Sequence, residues 1–170
     1  MNEAPTVEPS VMTREFDAPM QRVYEAWTDK RHLCRWQVPG PDVKCEYVSA
    51  DIRSGGSALH RMIMPGGGEM WLLTCYHELD PYHTIVFTQY PSNPDGEILP
   101  PPMPNWPKEI QATIRLSEEA GKTLMEFIWQ PVNPTPEEAE AWEASRPQHG
   151  KGWGGAFELL SAYLSSNGDS

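Results

Sequence analysis

"FDAPMQRVYEAWTD", residues 16–29, changes its hydrophobic period partway along, and that change sets the fold class. Just upstream, Ser10–Phe16 carries the β-branched Val11 and Thr13 near its start and reads as a strand. Beyond it, Met20, Val23, Tyr24 and Trp27 recur at i, i+3, i+4 and i+7, one apolar stripe on a helix. Asp17 and Pro19 are well placed to start that helix. A second short helix is expected over Lys30–Trp36, stopped by the turn residues of "VPGPD" (38–42).

From residue 43 the pattern alternates. Strands are expected over 43–52, 57–64, 69–79, 83–90, 108–117 and 122–130, joined by "SGG", "PGGG", "DPYH" and "EEAGK". Strands joined by short turns form an antiparallel meander. In "SADIRSGG" (49–56) a strand follows the glycines, with no lysine, so this is no phosphate loop. Asp51 and Arg53 read as a surface ion pair, and Gly55 and Gly56 as a bend between strands. Residues 91–107 hold seven prolines, a long loop of the kind that is functional or disordered.

The C-terminal third returns to a helical period. "NPTPEEAEAWEA" (133–144) offers Thr135 as cap, Pro136 at the first position and Glu138 for a capping box. After a break at "RPQHGKG" (146–152), Trp153, Phe157, Leu160 and Leu164 form the stripe of a closing helix. A strand, two short helices, a long antiparallel sheet and a last helix make an α+β architecture. A tail (1–8), polar and flexible, and one domain (9–166) carrying the 91–107 insert are expected.

The composition excludes several function classes. Thirteen basic against 24 acidic residues give a net charge of −11 with no basic stripe, which disfavours nucleic acid and anionic membrane surfaces. No 18-residue apolar window marks a membrane span, and the N-terminus lacks a signal-peptide pattern. Cys34, Cys45 and Cys75, odd in number and without CxxC spacing, suggest free thiols in a reducing compartment, so a cytoplasmic location is expected. The five histidines show no metal-ligand spacing, so neither metal nor cofactor is expected.

Three stretches carry a family resemblance. "REFDAPMQRVYEAWTD" (14–29), "RWQVPGPDVKCEYVSADIRSGG" (35–56) and "GKGWGGAFELLSAYL" (150–164) resemble, in order and spacing, the START-like (SRPBCC) superfamily. Within it they resemble stand-alone homologues of the activator of the heat-shock chaperone ATPase. The resemblance covers roughly residues 10–165 and implies a helix-grip fold: a curved antiparallel sheet wrapped around a long C-terminal helix, enclosing an apolar cavity. It implies a binder of a small hydrophobic molecule, with cyclase- or dehydratase-like chemistry open, or a co-chaperone-like partner of a heat-shock ATPase. Fold alone does not choose between these. The resemblance also places the 91–107 insert outside a minimal family domain, over one mouth of the cavity.

Alternation puts Ala58, His60, Met62 and Met64 on one strand face, and groups Trp71, Leu73, Cys75 and His77 on the next strand. Ile85, Phe87 and Gln89, then Met125, Phe127 and Trp129, make two further sets, with Trp153, Phe157 and Leu160 on the closing helix. If these converge, Met62, Met64, Trp71, Leu73, Phe87, Phe127, Trp129, Trp153, Phe157 and Leu160 line a soft aromatic cavity; otherwise they fill a core. His60 is the best candidate for acid–base work, with His77 a weaker one, set against the reading of a core histidine. A homodimer remains open as a partner arrangement.

Overall fold

In the computed structural model, which describes residues 7–38, 40–101 and 103–166, seven strands form one antiparallel sheet with the order β1-β7-β6-β5-β4-β3-β2. The strands are β1 (Ser10–Phe16), β2 (Lys44–Ala50), β3 (Ser57–Ile63), β4 (Glu69–Asp80), β5 (Thr84–Ser92), β6 (Ile110–Glu119) and β7 (Lys122–Pro131). Between β1 and β2 stand α1 (Met20–Thr28) and α2 (Lys30–Trp36); after β7 come α3 (Pro136–Ala144) and α4 (His149–Ser166). The first six residues of the expected tail lie outside the described residues.

Each strand from β2 to β7 pairs with its sequence neighbour, as short turns dictate. β1 instead pairs with β7, from Ser10 opposite Trp129 to Phe16 opposite Thr123. α1 and α2 therefore carry the chain across the sheet to its other edge, where β2 begins.

Local chemistry explains the helix ends. Asp29 ends α1 and caps α2, its side chain accepting from the Arg31 amide at 2.9 Å. Pro19, the N-cap of α1, has no side-chain donor or acceptor to offer; Glu118 from β6 accepts from the Met20 amide at 2.7 Å instead. Asp17 is not the cap, so that helix start is completed by a distant strand. Thr135 and Glu138 close the full capping box of α3. The "RPQHGKG" break is shorter than its glycines suggest: a 3-10 turn covers Arg146–Gln148 and α4 starts at His149.

α4 lies across the inner face of the sheet, with Phe157 edge-on to Phe127 at 5.2 Å between ring centroids. Around this contact Trp27, Trp36, Ile85, Ile114 and Met125 are fully buried and fill half of the sheet–helix space. This is a helix-grip arrangement. The other half is not filled.

Candidate functional site

Beyond Trp153 the space between sheet and α4 opens into a cavity of about 540 Å³. Its sheet wall comes from β3, β4, β5 and β7. His60 faces Leu72 and Met62 faces Met70 across the β3–β4 ladder, while Gln89 and Trp129 extend the wall along β5 and β7. Trp153 and Ala156 of α4 form the opposite side, and Gln37 and Val38, just past α2, close one end. The other end is closed by Ser145, Gln148 and His149 at the α3–α4 junction. Met70 and Met103, 42% and 52% exposed, stand where the cavity meets solvent.

The proline-rich segment supplies the rest of the wall. Ser92 bridges to Ile98, and the Leu99 amide donates to the Pro91 carbonyl at 2.8 Å, which turns the chain back. Met103 and Trp106 then reach the cavity. Trp106 sits 5.7 Å from Trp142 and 6.3 Å from Trp129, so the segment is pinned by aromatic contacts. A smaller space of about 160 Å³ adjoins, bordered by Phe87, Pro101 and Lys108 as well as by Trp106, Trp129 and Trp153.

Two histidines mark the cavity ends, in opposite states. His60 is 1% exposed, stacks on Tyr47 at 4.7 Å and 23°, and has a buried Nδ1 without a hydrogen-bond partner among the described residues. Burial pushes its pKa down to about 4, because no neighbouring charge compensates the imidazolium. Tyr47, itself held protonated by burial, donates to Gln37 Oε1 at 2.6 Å. His149 is fully engaged: Ser10 Oγ meets its Nδ1 and Ser145 Oγ lies 2.9 Å from its Nε2. Ser145 Oγ also donates to the Trp142 carbonyl, so the hydroxyl accepts from Nε2–H and Nδ1 accepts from Ser10. Burial first, then the Arg146 charge, lowers the His149 pKa as well. Burial disfavours the charged form of both rings, and among the described residues the remaining lining has no Asp, Glu, Lys or Arg.

The residues expected from the sequence part into four groups. His60, Met62, Trp129 and Trp153 line the cavity, and Phe87 borders the adjoining space. Phe127, Phe157 and Leu160, 0% exposed, belong to the filled core. Met64 lies past the end of β3 in the hairpin turn, its amide donating to the Gly68 carbonyl. Trp71 and Leu73 face away from the cavity. The pairing of His60 with Leu72 and of Met62 with Met70 turns the even-numbered residues of β4 inward, and Trp71 instead meets the Arg61 guanidinium on the outer face.

Leu72, Met70, Gln37, Trp106 and His149 were missed. Both faces of β4 carry large apolar side chains, so alternation could not choose between them. His149 sat in a glycine-rich run read as a break. Trp106 could have been found as the one aromatic in a proline-rich loop, since an isolated Trp there needs an apolar surface to cover.

Comparisons with known proteins agree with this architecture. The family model described as "Activator of Hsp90 ATPase homolog 1-like protein" matches residues 17–165. A protein from Arthrobacter aurescens, solved in solution, superposes with a TM-score of 0.77 at 22% identity, over 92% of this chain and 85% of that one. A Mycobacterium smegmatis protein gives 0.71 at 21% identity, over 91% and 88%. The AHSA1 protein of Silicibacter pomeroyi gives 0.69 at 14% identity, over 92% and 97%. No curated protein matches the sequence. With its family model spanning nearly the whole chain, this protein belongs to the Activator of Hsp90 ATPase homolog 1-like family, in the START-like helix-grip fold.

Proposed function

We propose that the chain binds a small, flat, uncharged molecule in the cavity between the sheet and α4. The observation that carries this reading is the space itself: an apolar cavity of about 540 Å³ with the buried polar side chain of His60 on its wall. Leaving such a group unpaired costs roughly 1–3 kcal/mol, which a ligand hydroxyl or carbonyl could recover. Trp106, Trp129 and Trp153 offer ring faces for a planar ligand, and a volume of about 540 Å³ suits a drug-sized one. Among the described residues the main cavity offers a carboxylate no cation, Lys108 standing in the adjoining space, so a fatty acid fits it less well than a neutral ligand.

The low pKa of His60 bears on chemistry. With a value of about 4, about one ring in a thousand is protonated at pH 7, so His60 suits hydrogen-bonding orientation better than proton transfer. Replacing His60 with Phe is expected to weaken 2-hydroxyfluorene about 5–10-fold while leaving the isosteric fluorene unchanged, read by calorimetric titration. Equal losses for both compounds would remove His60 from ligand recognition. The rival reading, stimulation of a heat-shock chaperone ATPase, draws on the family description. It prevails if no cavity ligand binds and the chaperone's ATPase rate rises on addition of this protein.

A further inference from the structure

Two thiols on the helix side of the sheet have no part in the cavity. Cys34 on α2 and Cys45 on β2 place their sulfurs 3.6 Å apart, and both are partly exposed. We propose that Cys34 and Cys45 form a reversible oxidation site, at which a hydroperoxide converts the two thiols to a disulfide that staples α2 to β2.

The two sulfurs already face each other across packed elements. Closing 3.6 Å to a bond of about 2 Å needs a side-chain movement rather than a refolding. The roles of the two are unequal. Cys45 Sγ–H donates to Cys34, which lowers the Cys34 pKa to about 7. The Tyr47 amide and Lys30 support the shift, while burial and Glu46 oppose it. The same hydrogen bond and burial push Cys45 up, so Cys34 is the thiol that ionises first and Cys45 the one that keeps its proton.

Cys34 thiolate attacks the peroxide, its sulfur is oxidised to the sulfenic acid, and the O–O bond breaks to release hydroxide or alkoxide. Cys45 then attacks the sulfenic sulfur and loses its proton, and water leaves as the S–S bond forms. Two thiols and one hydroperoxide thus give one disulfide, water and the corresponding alcohol, or a second water for hydrogen peroxide. Cys75, on β4 two strands from β2, is the internal control; burial raises its pKa and keeps it a thiol. Three residues past Cys34 stands Gln37, and two past Cys45 stands Tyr47, the pair bonded to each other beside His60. The staple would therefore fix that end of the cavity wall, although the site itself does not depend on any ligand.

The test uses the full chain with a small excess of hydrogen peroxide. The intact mass should fall by two hydrogens, peptide mapping should join Cys34 to Cys45, and dithiothreitol should restore the starting mass. Cys75→Ser should behave like the parent, whereas Cys34→Ser and Cys45→Ser should each lose the cross-link. Closing this short loop should raise the Tm by about 5–10 °C over the reduced protein. Oxygen addition without a cross-link in the parent chain, or a cross-link that involves Cys75, overturns the proposal. So does a cross-linked form that melts below the reduced one, because the sulfurs would then not be native neighbours.

Discussion

His60 ties a single side chain to the stability of the fold. Its pKa, about 4 in the folded state, lies below the ordinary value near 6.5, so the unfolded chain binds the extra proton first as pH falls. The contribution of His60 should be flat above about pH 7 and decline between about 6.5 and 4, with His149 shifted in the same direction. His60 alone should account for about 2 kcal/mol between pH 7.5 and pH 5, and His60→Phe should remove that share, measured by urea unfolding at both values. Glycine at 56 is a second residue-scale requirement. A Cβ there would stand 2.0 Å from the Asp51 carbonyl oxygen, inside a turn whose backbone also bonds Tyr76 on β4. Gly56→Ala should cost on the order of 2–4 kcal/mol in the same assay, whereas a loss under half a kcal/mol would show that the turn can shift. The sequence singled out both glycines as a bend, and Asp51 and Arg53 do form an exposed ion pair at 2.9 Å. What it could not supply is the close approach of the Asp51 carbonyl to Gly56, in a turn held by backbone bonds to Tyr76 on β4.

Elements differ in how much of themselves they carry. α3 is specified locally, and Thr135→Ala should lower stability by about 1 kcal/mol through loss of the capping bond that Thr135 Oγ1 accepts from the Glu138 amide. α1 is not, because Glu118 supplies the acceptor for its first amide from β6. α4 begins with glycines that weaken it as a helix. A Cβ at Gly154 would meet Arg14 Nη2 at 3.6 Å and Met12 Cε at 3.8 Å, ordinary contacts with β1. Gly154→Ala should therefore raise thermal stability, by up to about 1 kcal/mol. A fall in Tm would mean that α4 and β1 cannot accept even a methyl group. Strand positions were legible to within two residues at most ends, since turns punctuate them. The facing of β4 was not legible. With Trp71 and Leu73 on one face and Leu72 on the other, only the register with β3 decides which set looks inward.

At the scale of the whole molecule, the sheet–helix space is divided. Large aromatics around Trp27 and Phe157 fill one half, and the other is walled by residues that stop short of meeting. The family resemblance made the grip of sheet on helix legible, but composition cannot tell a filled half from an open one, because the same Trp and Met residues serve both. That distinction depends on how the 91–107 segment and the α3–α4 junction close around the end, which are contacts between parts distant in sequence. The most direct test is a thermal-shift titration of 2-hydroxyfluorene against the parent chain and Leu72→Trp, whose indole would occupy the cavity, with fluorene-2-carboxylate as the charged control. At about one hundred times Kd the neutral compound should stabilise the parent by about 2.7 kcal/mol, a rise of several degrees, while the carboxylate and the Leu72→Trp variant show no shift. An equal shift for Leu72→Trp, or none for the parent at the limit of ligand solubility, would contradict a ligand site between the sheet and α4.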